Sequence, residues 1–218
     1  MSSGKGSVAS MLALTPVVPV LTIDRVEHAV PLAECLQRAG VPLLEITLRT
    51  EAALPAIEQI AARCPGVVVA AGTVTTPAQL RSVADAGAQL AISPGATSVL
   101  YEAAQQLGLP FLPGVATASE LMAGLAAGLS HFKLFPASVV GGLAWLRAMS
   151  GPFAEAGFCP TGGIGRDEVA DYLAEPNVRC VGASWLASRR AINDADWAGI
   201  ETAARACVAA LRGDSTAG

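Results

Sequence analysis

The chain holds 12 arginines but only two lysines, Lys5 and Lys133. Lys133 lies in the run His131-Phe132-Lys133-Leu134-Phe135-Pro136, which reads as a strand. A strand sends alternate side chains to one face, so Lys133 shares its face with His131 and Phe135. An amine pointing into a packed interior is unfavourable unless paired or uncharged. Desolvation favours the uncharged form of an amine, and an uncharged amine is a nucleophile toward a ketone. The plain alternative is a lysine near a strand end whose head reaches back to water.

A second strand-like run, Val41 to Leu48 and on to Arg49, alternates from Leu44 onward. Glu45, Thr47 and Arg49 fall on one face, and Leu44, Ile46 and Leu48 on the other. If the apolar set faces covering helices, the polar set points inward, with a buried Glu45 beneath a buried Arg49. Such a pair is either a structural ion pair or a proton-transfer carboxylate with an anion clamp. Schiff-base aldol chemistry needs an amine, a proton-shuttling carboxylate and a cation for the substrate carboxylate. Lys133, Glu45 and Arg49 supply those three groups if they share one cavity.

Two later strand ends are glycine-rich: Cys159-Pro160-Thr161-Gly162-Gly163-Ile164-Gly165 and Val181-Gly182-Ala183-Ser184. Glycines allow a backbone to approach an anion closely, and barrel loops after strands 7 and 8 often cradle phosphate. A tight turn with no ligand is the simpler reading of either segment alone. Other strand-end residues are Thr73, placed to donate a hydrogen bond to a carboxylate, Pro94, which shapes its loop, and Phe135, a candidate pocket wall. His131 reads as a hydrogen-bonded interior residue rather than a ligand.

The elements that must position these groups recur as apolar run, turn and Ala-rich amphipathic stretch. Eight runs are expected as strands: 17–21, 41–48, 67–72, 89–93, 109–113, 131–135, 157–161 and 178–182. Short apolar runs between helical patterns argue for a parallel sheet. Eight such units in 218 residues predict an α/β fold, a single (β/α)8 TIM barrel, with an open doubly wound sheet as the alternative. Helix starts are expected at Asp24 with Glu27, Thr76-Pro77 with Gln79, and Thr117 with Glu120. A last helix is expected over 194–212, with disordered ends at 1–6 and 213–218. Residues 1–218 read as one domain with a short N-terminal extension and a C-terminal helix.

Composition narrows the function. Apolar residues make up 52% of the chain, charged residues 15%, and the net charge is −4. No basic run interleaves with aromatics, so nucleic acid is not an expected partner. So little charge is consistent with apolar surface buried between subunits. The five cysteines, Cys35, Cys64, Cys159, Cys180 and Cys207, are scattered and odd in number. They read as packed, reduced thiols of a cytoplasmic protein. With only His28 and His131, a His-rich metal site is not expected. No run is long and apolar enough for a transmembrane helix. The N-terminal run Met11 to Leu14 is interrupted by Pro16 and Pro19, and no signal peptide is expected.

Two segments carry a resemblance to a known family. Gly40-Val-Pro-Leu-Leu-Glu45-Ile-Thr-Leu-Arg49 and Gly128-Leu-Ser-His-Phe-Lys133-Leu-Phe-Pro-Ala-Ser-Val-Val-Gly141 resemble the signature segments of the KDPG/KHG aldolases. Those enzymes cleave 2-dehydro-3-deoxy-6-phosphogluconate or 4-hydroxy-2-oxoglutarate. The likeness runs from about Val17 to the final helix, through Gly72-Thr73, Ile92 to Gly95 and Thr161 to Ile164.

The resemblance implies a homotrimeric, metal-free and cofactor-free class I aldolase of the Entner–Doudoroff pathway. By matching positions, Lys133 forms the imine with pyruvate and Glu45 transfers protons. Arg49 and Thr73 hold the pyruvyl carboxylate; Gly162, Gly163 and Ser184 bind phosphate. Thr161 helps read the hydroxyl stereochemistry. The expected reaction gives pyruvate and glyceraldehyde 3-phosphate. Cleavage of 4-hydroxy-2-oxoglutarate or of the phosphogalactonate epimer is the near alternative, and a phosphosugar isomerase or synthase a remote one.

Overall fold

A computed structural model describes residues 6–213. Among the described residues nine parallel strands and ten α-helices follow one another, mostly in alternation. The strands are β1 Val17–Leu21, β2 Leu43–Thr47, β3 Val68–Gly72, β4 Leu90–Ile92, β5 Phe111–Leu112, β6 Gly114–Val115, β7 His131–Leu134, β8 Gly157–Pro160 and β9 Val181–Ala183. The helices are α1 Val8–Leu12, α2 Ala29–Arg38, α3 Ala53–Arg63, α4 Pro77–Asp85, α5 Ser98–Leu107, α6 Ala118–Ala126, α7 Gly142–Ser150, α8 Val169–Leu173, α9 Arg189–Asn193 and α10 Trp197–Gly213. The expected disordered ends lie outside the described residues except for Gly6 and Gly213, and Gly213 is the last residue of α10.

The closed eight-stranded barrel expected from the sequence is not what forms. The strands make a six-stranded sheet in the order β5-β4-β3-β2-β1-β9 and a three-stranded sheet in the order β6-β7-β8. Pro113 supplies one reason. The fifth run breaks there: β5 pairs with β4, β6 pairs with β7, and Pro113 has no N–H to continue a ladder. On the other side only the isolated bridges Phe158↔Val178 and Thr161↔Gly182 link the sheets. Those two bridges differ by one residue in register, and Pro160 between them lacks a donor, so no continuous ladder forms. The fold is still α/β.

Helices cover one face of each sheet. Leu44 and Ile46 of β2 pack there with Leu32, Ile57 and Ile60 of α2 and α3, in the larger apolar cluster. The other faces look at one another across a smaller cluster of Val18, Leu43, Leu90, Ile92, Leu112, Cys159 and Cys180. Met11 and Leu12 of α1 join this cluster at 5% and 1% exposure, so the first helix stoppers its lower end. All five cysteines are free and buried.

Two of the three expected helix starts hold. Thr76 accepts from the N–H of Gln79 at 3.2 Å, and the Gln79 carboxamide accepts from the Thr76 N–H at 3.1 Å. Thr117 and Glu120 do the same at 3.3 and 2.9 Å. Asp24 does not cap. Its carboxylate accepts instead from Arg189 at 2.7 and 2.6 Å and from Asn193 at 2.8 Å, and α2 begins after a 3₁₀ turn, Val26–His28. Among the described residues no helix is long and apolar enough to cross a membrane.

Candidate active site

The inner faces of β2 and β7 bring the predicted amine and carboxylate together. Lys133 and Glu45 are 5% and 2% exposed. The Lys133 Nζ lies 2.9 Å from Glu45 Oε1 and 3.1 Å from Oε2. A charge pair this deep holds only where each partner satisfies the other. Phe135, two residues along the same face, puts its ring centroid 5.3 Å from the amine. Lys133 therefore does not reach back to water, as the plain alternative held.

The space for Glu45 is set by Gly72 at the end of β3. A Cβ there would lie 2.7 Å from Glu45 Cγ and 2.8 Å from Cδ. Only a residue without a side chain lets the carboxylate lie across that strand end. The next residue, Thr73, takes φ 62°, a left-handed conformation uncommon for a β-branched residue. Its hydroxyl has no protein partner among the described residues. Thr47, below the mouth, donates to the Leu21 carbonyl at 2.8 Å.

Arg49 departs from expectation. β2 ends at Thr47, so alternation no longer governs residue 49, and Arg49 is exposed rather than buried above Glu45. Among the described residues no carboxylate lies within ion-pair reach of it. The structural Glu45–Arg49 ion pair is thus not formed. Arg49 is left as an uncommitted cation at the rim.

A cavity of about 200 Å³ opens at the carboxyl ends of the strands. It brings together Arg49, Phe135, Thr161, Gly162, Gly163 and Ser184. Lys133, Glu45, Thr73 and Pro94 do not line it; the amine lies behind Phe135, whose ring does. Pro94 lies across β6: a Cβ on Gly114, the register partner of Lys133, would come 2.8 Å from Gly95 N and collide with the Pro94 carbonyl. The loop after β4 thus packs over the strand beside the amine.

The glycine-rich end is built for close approach. Gly162 and Gly163 take φ 100° and 74°, and a Cβ on Gly163 would lie 2.7 Å from Ser138 Cβ. The N–H groups of Gly162, Gly163 and Ser184 donate to no protein acceptor among the described residues. Thr161 is 5% exposed, and its hydroxyl donates to the Cys159 carbonyl at 3.3 Å. Gly182 packs against it, since a Cβ there would lie 2.9 Å from Thr161 Cγ2.

Sequence reasoning missed the apolar lining of Val20, Ile164, Ala183 and Trp185. The signal for Trp185 was its place directly after Ser184. The Trp185 indole N–H donates to the Ile164 carbonyl at 3.1 Å, joining the two glycine-rich loops. His131 is half-buried, 3.0 Å from the Ser130 hydroxyl, and both burial and Arg179 hold its pKa below the usual imidazole range. Behind the site Cys159 and Cys180 are wholly buried neighbours, and contact with Cys159 together with burial raises the Cys180 thiol.

An amine, a carboxylate, a rim cation and a nest of free N–H groups are what an imine-forming enzyme with an anionic substrate requires. Comparison with known proteins agrees. Residues 8–203 match the family described as KDPG and KHG aldolase. The chain is 49% identical, over 96% of its length and 98% of the relative's, to a 2-dehydro-3-deoxy-phosphogluconate aldolase of Dickeya dadantii. It is 48% identical, over 95% of its length and 98% of the relative's, to a KHG/KDPG aldolase of Escherichia coli K12. A Legionella pneumophila KDPG aldolase, solved with pyruvate captured as a covalent carbinolamine, superposes with TM-score 0.92 at 45% identity, covering 94% of this chain and 100% of that one.

Proposed function

The chain belongs to the KDPG and KHG aldolase family, and from that membership we propose a reaction and a role for each residue of the site. The protein is a lyase, a class I aldolase. It cleaves 2-dehydro-3-deoxy-6-phosphogluconate to pyruvate and glyceraldehyde 3-phosphate. The observation that carries this reading is the buried contact of Lys133 with Glu45 at 2.9 and 3.1 Å.

Attack requires an uncharged amine, and Glu45 is the nearest base to take the proton from Lys133. The free amine adds to the C2 ketone; the carbinolamine hydroxyl then takes the proton from Glu45 and leaves as water, giving a protonated imine and an ionised Glu45. Glu45, directly or through water, removes the C4 hydroxyl proton. The C3–C4 bond breaks, its electrons flow into the imine, and the aldehyde leaves. The remaining enamine takes a proton at C3 and is hydrolysed to pyruvate, which frees Lys133.

Arg49 and Thr73 hold the pyruvyl carboxylate. Gly162, Gly163 and Ser184 receive the phosphate on their free N–H groups, and Thr161 reads the C4 hydroxyl. Phe135 keeps water from the amine, and Pro94 fixes the loop beside it. The E. coli relative's name couples KHG to KDPG, which supports unphosphorylated 4-hydroxy-2-oxoglutarate as a second substrate.

We read residues 1–218 as one catalytic domain acting in the Entner–Doudoroff pathway of the cytoplasm. The family resemblance implies a homotrimer, and the exposed apolar side chains Val99, Met122 and Val139, 55%, 58% and 79% accessible, offer apolar surface for self-association of any order. The decisive experiment is borohydride reduction in the presence of pyruvate, followed by peptide mass spectrometry. A reduced pyruvyl adduct on Lys133, lost in Lys133→Ala with cleavage activity, is the expected result. An adduct confined to Lys5, or full turnover by Lys133→Ala, refutes the assignment.

A further inference from the structure

Arg166 stands three residues after Gly163, at the start of a 3₁₀ turn, Arg166–Glu168. Its guanidinium lies 5.1 Å from the centroid of the Trp185 ring, and that ring lines the glycine-rich end of the cavity. The indole is itself anchored through Nε1 to the Ile164 carbonyl at 3.1 Å. Arg166 is exposed, and among the described residues no carboxylate lies within ion-pair reach of it. Of the neighbouring arginines, Arg189 is committed to Asp24 and Arg190 to Asp194, while Arg49 stands unpaired on the cavity rim and is assigned to the substrate carboxylate.

A negative charge sits beside this end of the cavity. The Glu168 carboxylate accepts from the Gly165 N–H at 2.7 Å, two residues after Gly163 in the same glycine-rich segment. Placed there, it repels a phosphoryl dianion. A cation fixed over Trp185 offsets it. Three peptide units put the Arg166 Cα no more than about 11 Å from that of Gly163. If the guanidinium, held over a ring that walls the cavity, stands about 10 Å from a bound phosphoryl group, a single charge in water changes the binding of a dianion by about three- to five-fold at low salt.

We propose that Arg166, held over the Trp185 ring, is a specificity-determining residue that favours phosphorylated over unphosphorylated 2-keto acids. The proposal rests on the reading that the Gly162–Gly163–Ser184 end receives phosphate. It adds a long-range charge to the backbone donors and couples that charge to the wall of the pocket through a cation–π contact.

The test compares wild type, Arg166→Gln and Arg166→Lys on 2-dehydro-3-deoxy-6-phosphogluconate and on 4-hydroxy-2-oxoglutarate. Each is measured at about 0.01 M and about 0.5 M salt, where the screening length falls from about 30 Å to a few ångströms. Arg166→Gln is expected to lower kcat/KM about three- to five-fold on the phosphorylated substrate, through KM and only at low salt. Its rate on the unphosphorylated substrate is expected to stay as in wild type, and Arg166→Lys to keep most of the preference. Equal losses on both substrates, equal losses in both variants, or no loss on the phosphorylated one overturn the proposal while leaving the phosphate reading intact. A wild-type enzyme indifferent to phosphate overturns that reading and the proposal together.

Discussion

Replacing Gly72 with alanine is a sharp probe of the Lys133–Glu45 pair, because the substituted residue touches no substrate. The added Cβ would stand 2.8 Å from Glu45 Cδ, whereas ordinary contact begins at 3.4 Å. The carboxyl group must therefore retreat by at least about 0.6 Å, and it is free to do so only by turning about its own side-chain bonds. Its oxygens sit 2.9 and 3.1 Å from the Lys133 amine. A shift of that size directed away from the amine takes both beyond the usual hydrogen-bond range of about 3.2 Å. Misplacing a catalytic group by about 1 Å can cost on the order of 100-fold in rate. Gly72→Ala is therefore expected to lower kcat for aldol cleavage about 30- to 100-fold with KM little changed, in a coupled assay of pyruvate release. Borohydride trapping of pyruvate should still label Lys133, since the amine itself is untouched. Shortening the carboxylate in the double variant Gly72→Ala, Glu45→Asp returns room for the Cβ and should recover part of the loss. A single variant with kcat within three-fold of wild type would show that Gly72 does not set the carboxylate's position, and the reasoning fails.

Other outcomes follow from the same geometry. Glu45→Gln should lower kcat about 10²- to 10⁴-fold, the range for a lost general base, while a pyruvate adduct on Lys133 is still found by mass spectrometry. Arg49→Leu should raise KM for pyruvate in the reverse aldol reaction about ten-fold and leave the melting temperature nearly unchanged, since Arg49 is exposed and unpaired. Thr117→Ala should lower stability by about 1 kcal/mol in urea titration, because it removes one half of the α6 capping box. Arg189 and Asn193 hold the Asp24 pKa down to about 2. Asp24 therefore contributes stability above the ordinary aspartate range near 4, and loses it as pH falls toward about 2. An Asp24→Asn variant should show less loss of stability than wild type over that acid window. Equal acid unfolding curves would remove Asp24 from the account.

The amine and the carboxylate were legible in the sequence for one reason: both sit inside strands, where period-two alternation fixes the direction of a side chain. Leu44 and Ile46 pack outward and Glu45 points inward, as the pattern requires. The same rule failed at Arg49 because β2 stops at Thr47. Sheet closure was not legible either. Pro113 and Pro160 sit inside runs that read as ordinary strands, and a missing backbone donor interrupts a ladder without changing the hydrophobic pattern. Asp24 looked like a cap because Glu27 follows three residues later, yet Arg189, 165 residues away, draws its carboxylate elsewhere. Trp185 escaped because the direction of a side chain in a loop depends on its tertiary partner, here the Ile164 carbonyl.

The short first helix has a kinetic corollary. Met11 and Leu12 fill the lower end of the interior, so on the proposed mechanism substrate reaches Lys133 from the cavity at the carboxyl ends of the strands. If Lys133 forms the imine as proposed, the carbon tethered to it is the innermost part of the substrate, and the aldehyde fragment lies toward the cavity. Departure is then compulsory in order: the aldehyde first, the keto acid last. In the synthetic direction the keto acid must enter before its partner, and crowding by aldehyde would bar the door against it.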